Sequence, residues 1–452
     1  MSAYRQVPEE ITGMPRGVPY IVSNELAERF SFYGMKTILV VFMTHHLKNA
    51  AGDVAPLSAE DAKAAFHTFA ASAYFFPLIG AVVSDALLGK YRTIMALSIV
   101  YCFGHLALAL DETRLGLTVG LTLIAVGSGG IKPCVSAHVG DQFGTKNQHL
   151  LERVFGWFYF SINFGSFFST LLTPVLLEHY GPRVAFGLPG VFMLLATLAF
   201  WMGRNHFAHI PPAGVGFVRE IASAEGLAVL GRVLGLIVFI AMFWALYEQN
   251  GSAWVLQAER MELEFLGITW LPSQVQAINP ILVLILIPLT SYVVYPAISR
   301  VFPLTPLRKI GMGFFLTCVT FLISAHIESR LDAGDKVNIG WQLFAYLVLT
   351  TAEVLVYGTG LEFFYAQAPN RLKSVVMALF LFSVSLGNGF TALVNLWIQN
   401  PDGSSKLSGA SYYLFFAGLM FATTLLYMLY ALRYRGHRYV QGTPPSAAVE
   451  PA

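Results

Sequence analysis

Charged residues are scarce in this chain of 452 residues. Only 12% are Asp, Glu, Lys or Arg, against about 25% in typical soluble domains. Hydrophobic residues make up 56% and the mean hydropathy is +0.61, which excludes a soluble multidomain protein. The net charge is only +2 and its charges are scattered, so no nucleic acid partner is predicted. Cys102, Cys134 and Cys318 all lie in apolar runs, which predicts neither disulfides nor a metal site.

Motifs of catalysis and of secretion are also missing from the sequence. There is no Gly-x-Ser-x-Gly, no His-Glu-x-x-His and no phosphate-binding loop, so we predict neither an enzyme nor a bound cofactor. The start of the chain, residues 1–16, is polar and rich in proline, and it lacks the pattern of a cleavable signal peptide.

The apolar residues fall into twelve runs, each long enough to cross a bilayer, which needs roughly 20 residues per helix. An even number of spans, divided six and six by the longest connector, predicts two six-helix halves. We therefore predict an all-α integral membrane protein. Its domains are 1–203 and 232–452, joined by a linker at 204–231 with a short amphipathic stretch around 217–227. The runs are approximately 19–44, 64–88, 92–110, 115–138, 151–177, 183–203, 230–253, 273–299, 307–327, 341–367, 373–399 and 409–433.

Lysine and arginine are distributed unequally between the two faces of this arrangement. If the N-terminus is cytoplasmic, 17 of them lie on that side and 8 on the other, with Arg29, Lys36 and Lys132 left inside spans. Because cytoplasmic loops carry the excess of Lys and Arg, we predict that both ends and the linker are cytoplasmic, in the cell inner membrane.

Ionised residues interrupt the first span at Glu25, Glu28, Arg29 and Lys36. Charge at membrane depth is costly unless it is paired or faces water, so such residues mark a functional site. On a helix, Glu25, Arg29 and Lys36 fall near one stripe, and Glu28 is one turn from Glu25. The pattern predicts a proton-handling or substrate-binding site.

The fourth span contains a further charge, Lys132, within the run Gly-Ser-Gly-Gly-Ile-Lys-Pro at 127–133. Glycine permits close approach of backbones and proline loosens the local hydrogen bonding, so a lysine can be placed at depth. A buried lysine keeps its charge best beside a carboxylate, and Glu25 and Glu28 are available. The alternative is that Lys132 extends to the cytoplasmic interface.

The connection between the second and third spans, residues 80–92, reads Gly-x-x-x-x-Asp-x-x-x-Gly-Lys-Tyr-Arg. It resembles the loop signature of the major facilitator superfamily. The resemblance implies that superfamily's fold and a latch of the inward gate formed by Asp85, Lys90 and Arg92. The alternative is an ordinary helix end with residues that follow the positive-inside pattern.

Residues 25–34 read Glu-x-x-Glu-Arg-Phe-x-Phe-Tyr-Gly, which is similar to the first-helix signature of the proton-coupled oligopeptide transporter family. Nearly the whole chain shares this resemblance. His67-Thr68-Phe69 and residues 359–363 are closer to animal members, while the chain itself is identified as a bacterial member with animal-like features. Two extra helices common in bacterial members are missing. Further matches are residues 127–136, 243–249, Asn279-Pro280 and 360–369.

The resemblance implies a role for individual residues. Lys132, with Arg29 and Lys36 nearby, would bind the peptide carboxylate, and Glu353 would receive the amino terminus. Glu248 would pair with Lys36 across the two halves near the outer gate. The implied peptide-binding residues are Tyr33, Lys36, Tyr74, Lys132, Asn163, Glu248, Asn279, Glu353 and Phe380. The implied proton-coupling residues are Glu25, Glu28, Arg29, His67, Lys132 and Glu248.

Three positions depart from the family pattern. Phe32 stands where tyrosine is usual, Phe380 where tryptophan is common, and Tyr357-Gly358 replaces a Ser-Pro pair. These departures affect the expected selectivity and the bend of the tenth span.

His67 lies in the second span near its outer end. Histidine titrates near neutrality, and animal relatives carry a histidine there with a proposed role in proton entry. The alternative is a core histidine that donates to a carbonyl group.

The expected function is a proton-coupled symporter that imports di- and tripeptides by alternating access. An extended zwitterionic peptide carries opposite charges roughly 5–10 Å apart, which a cationic group and Glu353 would bind from either end. The expected partners are peptides, protons and membrane lipid, with a monomer as the functional unit. The alternatives are a carrier of nitrate or other organic anions, and a peptide sensor that does not transport.

Overall fold

Most of the described chain is helical in the computed structural model. The predicted amphipathic stretch at 217–227 lies largely outside the described residues, as do Ala368 and Pro369 of the predicted motif in the tenth span. The structure describes residues 4–212, 214, 224–367 and 373–434.

The first five helices carry the first six predicted spans. The last of them is two helices end to end, because Gly181 has a φ of 76° and is followed by proline. A π-helical turn extends α1 at Phe42–His46 and α2 at Val83–Leu88. The helices are α1 Val18–Val41, α2 Ala59–Val82, α3 Lys90–Leu110, α4 Arg114–Gly140 and α5 Leu151–Met202.

The remaining helices carry the last six predicted spans, and two of these spans are bent. The π-helical turns Thr290–Val294 and Val354–Gly358 join α8 to α9 and α11 to α12. A short hairpin pairs β1 Glu264–Phe265 with β2 Ile268–Thr269. The helices are α6 Ala224–Tyr247, α7 Ala253–Ala258, α8 Ile278–Leu289, α9 Tyr295–Ser299, α10 Pro306–Asp332, α11 Gly340–Glu353, α12 Thr359–Ala366, α13 Lys373–Ile398 and α14 Ala410–Arg433.

Ten helices of the described residues are long and apolar enough to cross a membrane. The α1 helix is not among them, because it carries Glu25, Glu28, Arg29 and Lys36, and the break at Gly181 divides one of the ten into two. Adding α1 and counting the divided helix as two gives twelve helical spans among the described residues. Every predicted span therefore has a helix. The predicted all-α membrane architecture is confirmed.

The described residues form two compact units. The first unit lies within Met1–Leu57 and Ser72–Phe217, and the second within Ser58–Ala71 and Val218–Ala452. The N-terminal end of α2 thus groups with the second unit, whereas the sequence places residues 1–203 in one domain. The division into two six-helix halves stays a prediction.

The second helix begins at Ala59, five residues before the predicted start of its apolar run. The Ser58 hydroxyl accepts the backbone N–H of Asp61 at 3.1 Å, which is the usual chemistry of a helix start. Lys63, which immediately precedes the predicted span 64–88, is instead buried in the helix, with its Nζ 2.7 Å from Glu60 and 3.9 Å from the ring centre of Tyr412. Pairing and the aromatic contact allow these charges to be buried.

Glycines bring α2 and α4 into close contact in the first unit. A Cβ atom at Gly80 would lie only 2.4 Å from the Cα atom of Gly130, and one at Gly129 would lie 2.6 Å from the Cβ of Phe76. Side chains larger than hydrogen would force these helices apart. The close approach places Lys132 of α4 beside Tyr74 of α2.

Candidate binding and proton-coupling site

Two buried carboxylates share one guanidinium in the first unit. The Nε of Arg29 lies 2.7 Å from Oε1 of Glu25 and 3.4 Å from Oε2 of Glu28. Both glutamates are 2% exposed. The α-helix brings these residues together because Glu25 and Arg29 are four positions apart and therefore share a face. One fixed cation facing two acids makes this cluster a place where a proton can be held.

Lys132 lies between two aromatic rings. Its Nζ is 3.8 Å from the ring centre of Phe32 and 4.4 Å from that of Tyr74. Ammonium groups are attracted to the negative face of such rings, and the Lys132 charge also acts on Glu25. The rings hold an ammonium group at depth next to the acidic cluster. Lys132 does not extend to the interface in this arrangement.

The other predicted residues of the first unit have different surroundings. Tyr33 and Lys36 are half-buried on α1. Asn163 is buried, and its amide donates to the Tyr159 carbonyl at 2.9 Å, so its side-chain oxygen remains an acceptor for a peptide N–H. The peptide-binding roles of these residues stay predictions.

The predicted latch contains an acid that the sequence pattern does not include. The Nζ of Lys90 pairs with Oδ2 of Asp141 at 2.7 Å, beyond the end of α4. Asp85 is half-buried within electrostatic reach of both Lys90 and Asp141, and Arg92 is exposed. The structure therefore links the predicted loop to the end of α4. Its role as a latch stays a prediction.

The carboxylate of Glu353 is held by neutral donors in the second unit. Asn279 donates to Oε2 of Glu353 at 2.8 Å and contacts the Thr350 hydroxyl at 3.1 Å. The Tyr247 hydroxyl donates a further hydrogen bond, and the charge of Glu248 acts on the same carboxylate. Glu248 is 4% exposed. Asn279 therefore orients Glu353 in this arrangement, and its predicted contact with a peptide stays a prediction.

His67 is fully buried in the second unit and is bonded through both ring nitrogens. Nδ1 lies 2.7 Å from Oδ1 of Asn388, and Nε2 lies 2.8 Å from the Ser252 hydroxyl. An amide oxygen only accepts, so Nδ1 carries hydrogen, whereas a hydroxyl both donates and accepts. Ser252 can therefore donate to the neutral ring or accept from the protonated one. A buried ring that donates to the side-chain carbonyl of Asn388 also fits the core-histidine alternative, so the role of His67 in proton entry stays a prediction.

Phe380 belongs to a row of aromatic rings in the second unit. Its ring stacks on Tyr357 at 5.7 Å and approaches Phe364 at 5.1 Å. Tyr357 in turn meets Trp244 edge to face at 5.7 Å. Phe380 is 1% exposed, so in this arrangement its ring packs against Tyr357 and Phe364 in the interior. Its contact with a peptide side chain stays a prediction.

Several partners of the predicted residues were not found from the sequence. The signal that could have found most of them is a polar residue within an apolar span. From the residues alone, that signal was interpreted only where the side chain is ionised. The predicted pairing of Lys36 with Glu248 joins residues of different units and stays a prediction. Among the described residues, no group of three His, Cys, Asp or Glu side chains is arranged to hold a metal ion. The partners that were missed are Tyr247, Ser252 and Asn388 in the second unit and Asp141 in the first.

Comparison with known proteins identifies the family. A family model described as "PTR2: POT family" matches residues 91–229 and 217–410. The chain belongs to the POT family. This is a family of transporters rather than enzymes, and the predicted family membership is confirmed.

A solved POT family member has the same fold. The "POT family transporter PepTSo" is 36% identical, with a TM-score of 0.86 over 93% of this chain and 99% of that chain. The predicted fold of the major facilitator superfamily is confirmed by this likeness.

Curated relatives include animal proteins. "Peptide transporter family 1" of Drosophila melanogaster is 38% identical over 70% of this chain and 48% of its own length. Human "Solute carrier family 15 member 2" is 34% identical over 75% of this chain and 52% of its own length. This POT family chain therefore spans about half the length of the curated relatives that it matches.

Proposed function

We propose that this POT family chain is a proton-coupled symporter that imports di- and tripeptides by alternating access. The observation that carries the proposal is the division of charge between the two units. The first unit holds Lys132 beside the Glu25, Glu28 and Arg29 cluster, and the second holds the carboxylate of Glu353. A zwitterionic peptide needs a cation for one end and an acid for the other.

We assign proton coupling to Glu25 and Glu28, the buried carboxylates that share Arg29. In the proposed cycle, a proton on Glu25 or Glu28 releases part of the positive charge of Arg29 and Lys132, which are then available to a peptide carboxylate. One proton contributes about 2.3 kcal/mol per 100 mV of membrane potential. His67 would admit the proton from the outer side, since its Ser252 partner accommodates both charge states of the ring.

The proposed setting is the inner membrane, with both ends of the chain cytoplasmic and a monomer as the working unit. The excess of Lys and Arg on that side supports this orientation. The relatives named as peptide transporters support the substrate class. Cysteine labelling of a residue added at either end, in intact cells and in inverted vesicles, tests the orientation.

The function is tested with the purified chain in proteoliposomes. We expect uptake of labelled dialanine to exceed equilibrium when the outside is acidic, and to stop at equilibrium when a protonophore removes the gradient. Unlabelled di- and tripeptides should compete, while tetrapeptides and nitrate should not. Competition by nitrate would favour an anion carrier, and binding of dialanine without uptake would favour a peptide sensor.

A further inference from the structure

A cavity of about 340 Å³ lies between α6 and the end of α14 in the second unit. Its lining residues are Arg232 on α6, and Leu429, Tyr430, Arg433 and Tyr434 at the end of α14. Small-molecule sites have volumes of roughly 300–1,000 Å³. Arg232 precedes the Tyr247 end of α6 by about 22 Å along the helix axis, at 1.5 Å per residue. The cavity is therefore separate from the surroundings of Glu353.

The walls of the cavity are fixed by close packing. A Cβ atom at Gly235 would lie 2.4 Å from the hydroxyl oxygen of Tyr430, so only glycine allows this tyrosine to approach α6. The Tyr430 ring lies 5.4 Å from Phe239 and 5.8 Å from Tyr434. The Tyr434 hydroxyl donates to the side-chain oxygen of Gln367 at 3.3 Å. Both tyrosines thus pack against neighbouring residues.

The charge in the cavity is positive. Its five lining residues include two arginines and no acid. Burial raises the pKa of Tyr434 to about 12, so its hydroxyl keeps its proton at neutral pH and adds no negative charge. Guanidinium groups present planar sets of N–H donors that match phosphate oxygens. Beyond the described residues, the sequence continues with Arg435 and Arg438.

An apolar face of α14 leads from the cavity along the helix. Leu429 lines the cavity and is 62% exposed, and Leu432 is 84% exposed. Leu425 lies one turn from Leu429 on the same face and is also exposed. A soluble phosphate would make no favourable contact with such an apolar face. A phospholipid would, because it has a phosphate at one end and apolar chains at the other.

We propose that this cavity binds the phosphate headgroup of an anionic phospholipid, with an acyl chain along the exposed face of α14. The inference rests on the proposed function only for orientation, which places this end of α14 at the cytoplasmic leaflet. Basic pockets between membrane helices on that side are suited to anionic headgroups. Arg232 and Arg433 supply the charge, and Tyr430 and Tyr434 line the cavity beside them.

The test measures lipid binding to the full chain, without peptide, by native mass spectrometry from a neutral detergent. Dioleoyl-phosphatidylglycerol should remain bound, while dioleoyl-phosphatidylcholine should not. The double variant Arg232→Gln/Arg433→Gln should bind phosphatidylglycerol roughly thirtyfold more weakly, from about fivefold for each basic residue. The control Arg308→Gln removes an exposed arginine of α10 that stacks on Phe302, and it should bind as the parent does.

Three results would overturn the inference. These are equal retention of the two lipids, unchanged binding in the double variant, and displacement of phosphatidylglycerol by inorganic phosphate at similar concentration, which would indicate a site for soluble anions. If the double variant does not fold, Arg232→Lys/Arg433→Lys keeps both charges and should keep the preference for phosphatidylglycerol. Because no transport is measured, failure of the proposed function would leave these outcomes unchanged.

Discussion

The two units hold their buried carboxylates in different ways. In the first unit, Glu25 and Glu28 share the guanidinium of Arg29. In the second unit, Glu353 is held by the neutral amide of Asn279 and the hydroxyl of Tyr247. An acid that faces a fixed cation can release that cation to a ligand when it binds a proton. An acid held by neutral donors has no fixed cation to displace, so a cationic ligand can pair with it directly. The contrast supports proton coupling in the first unit and binding of the peptide amino terminus in the second.

The largest expected effect comes from removing a titratable acid of the first unit. Glu28→Gln should abolish accumulation of dialanine while preserving counterflow, because an amide cannot carry the proton. At 100 mV, one proton supports about fiftyfold accumulation, which should fall to equality across the membrane. Glu28 lies farther from Arg29 than Glu25 does, so we expect the smaller effect in Glu25→Gln.

Glu10→Gln is the matched control, since Glu10 is exposed and pairs with Lys146 at 2.9 Å. It should accumulate dialanine as the parent does. Full accumulation in Glu28→Gln would refute the coupling role of that residue.

The Glu60–Lys63 pair extends the comparison to a one-to-one ion pair in the second unit. Lys63→Met should reduce the free energy of unfolding by about 3–5 kcal/mol, because the buried Glu60 carboxylate would lose its cation. Glu60→Gln/Lys63→Met should recover most of the loss. Thermal unfolding of the purified variants measures both effects.

Lys48→Met is the control for this pair, because Lys48 and Glu112 are more exposed and surface pairs contribute about 0–1 kcal/mol. An equal loss of stability in Lys48→Met and Lys63→Met would contradict the importance of burial.

Rings hold a buried ammonium group in both units, at Lys132 beside Phe32 in the first and at Lys63 beside Tyr412 in the second. Phe32→Leu should weaken dialanine binding roughly threefold to thirtyfold, since a cation–π contact contributes about 0.5–2 kcal/mol and Lys132 would be less firmly positioned. Tyr74→Phe keeps its ring and should bind as the parent does. Equilibrium binding of dialanine to the two variants and the parent measures the effect. Normal affinity in Phe32→Leu would show that the ring is dispensable.

The smallest expected effect concerns His209, outside the spans of the first unit. Its ring stacks on Tyr4 at 4.2 Å, and burial lowers its pKa below the ordinary value of 6.5. The folded state therefore binds fewer protons than the unfolded state, so stability falls as the pH drops below about 6.5. His209→Phe keeps the stacking and should lose less stability between pH 7 and pH 5. Parallel losses of stability in the two proteins would contradict this.

The sequence was sufficient for the fold because each span carries its own signal. Runs of about 20 apolar residues are evident without knowledge of tertiary contacts, and the pattern of Glu25, Glu28 and Arg29 follows from helical periodicity. Lys63 shows what hydropathy does not predict. The apolar run of the second span begins after Lys63, although this residue is buried in the helix. Its burial depends on Glu60, one turn away, and on Tyr412, which is distant in the sequence.

The hydrogen-bond partners of the site residues could not be predicted from the sequence either, because they too are distant in the sequence. Asn388 and Ser252 reach His67 from positions 321 and 185 residues away. Their uncharged side chains produce no break in an apolar run. Asn279 was recognised as a binding residue, but its hydrogen bond to Glu353 is visible only in the structure.

The central claim is that the two units bind opposite ends of a peptide. Its most direct test measures equilibrium binding of dialanine, N-acetyl-dialanine and dialanine amide to the parent, Lys132→Gln and Glu353→Gln. The parent should prefer dialanine to each blocked peptide by roughly 10- to 100-fold, as expected for hydrogen bonds to charged groups. Glu353→Gln should lose only the discrimination against the acetylated peptide, and Lys132→Gln only that against the amide. Loss of both discriminations together in either variant, or of neither, would contradict the claim.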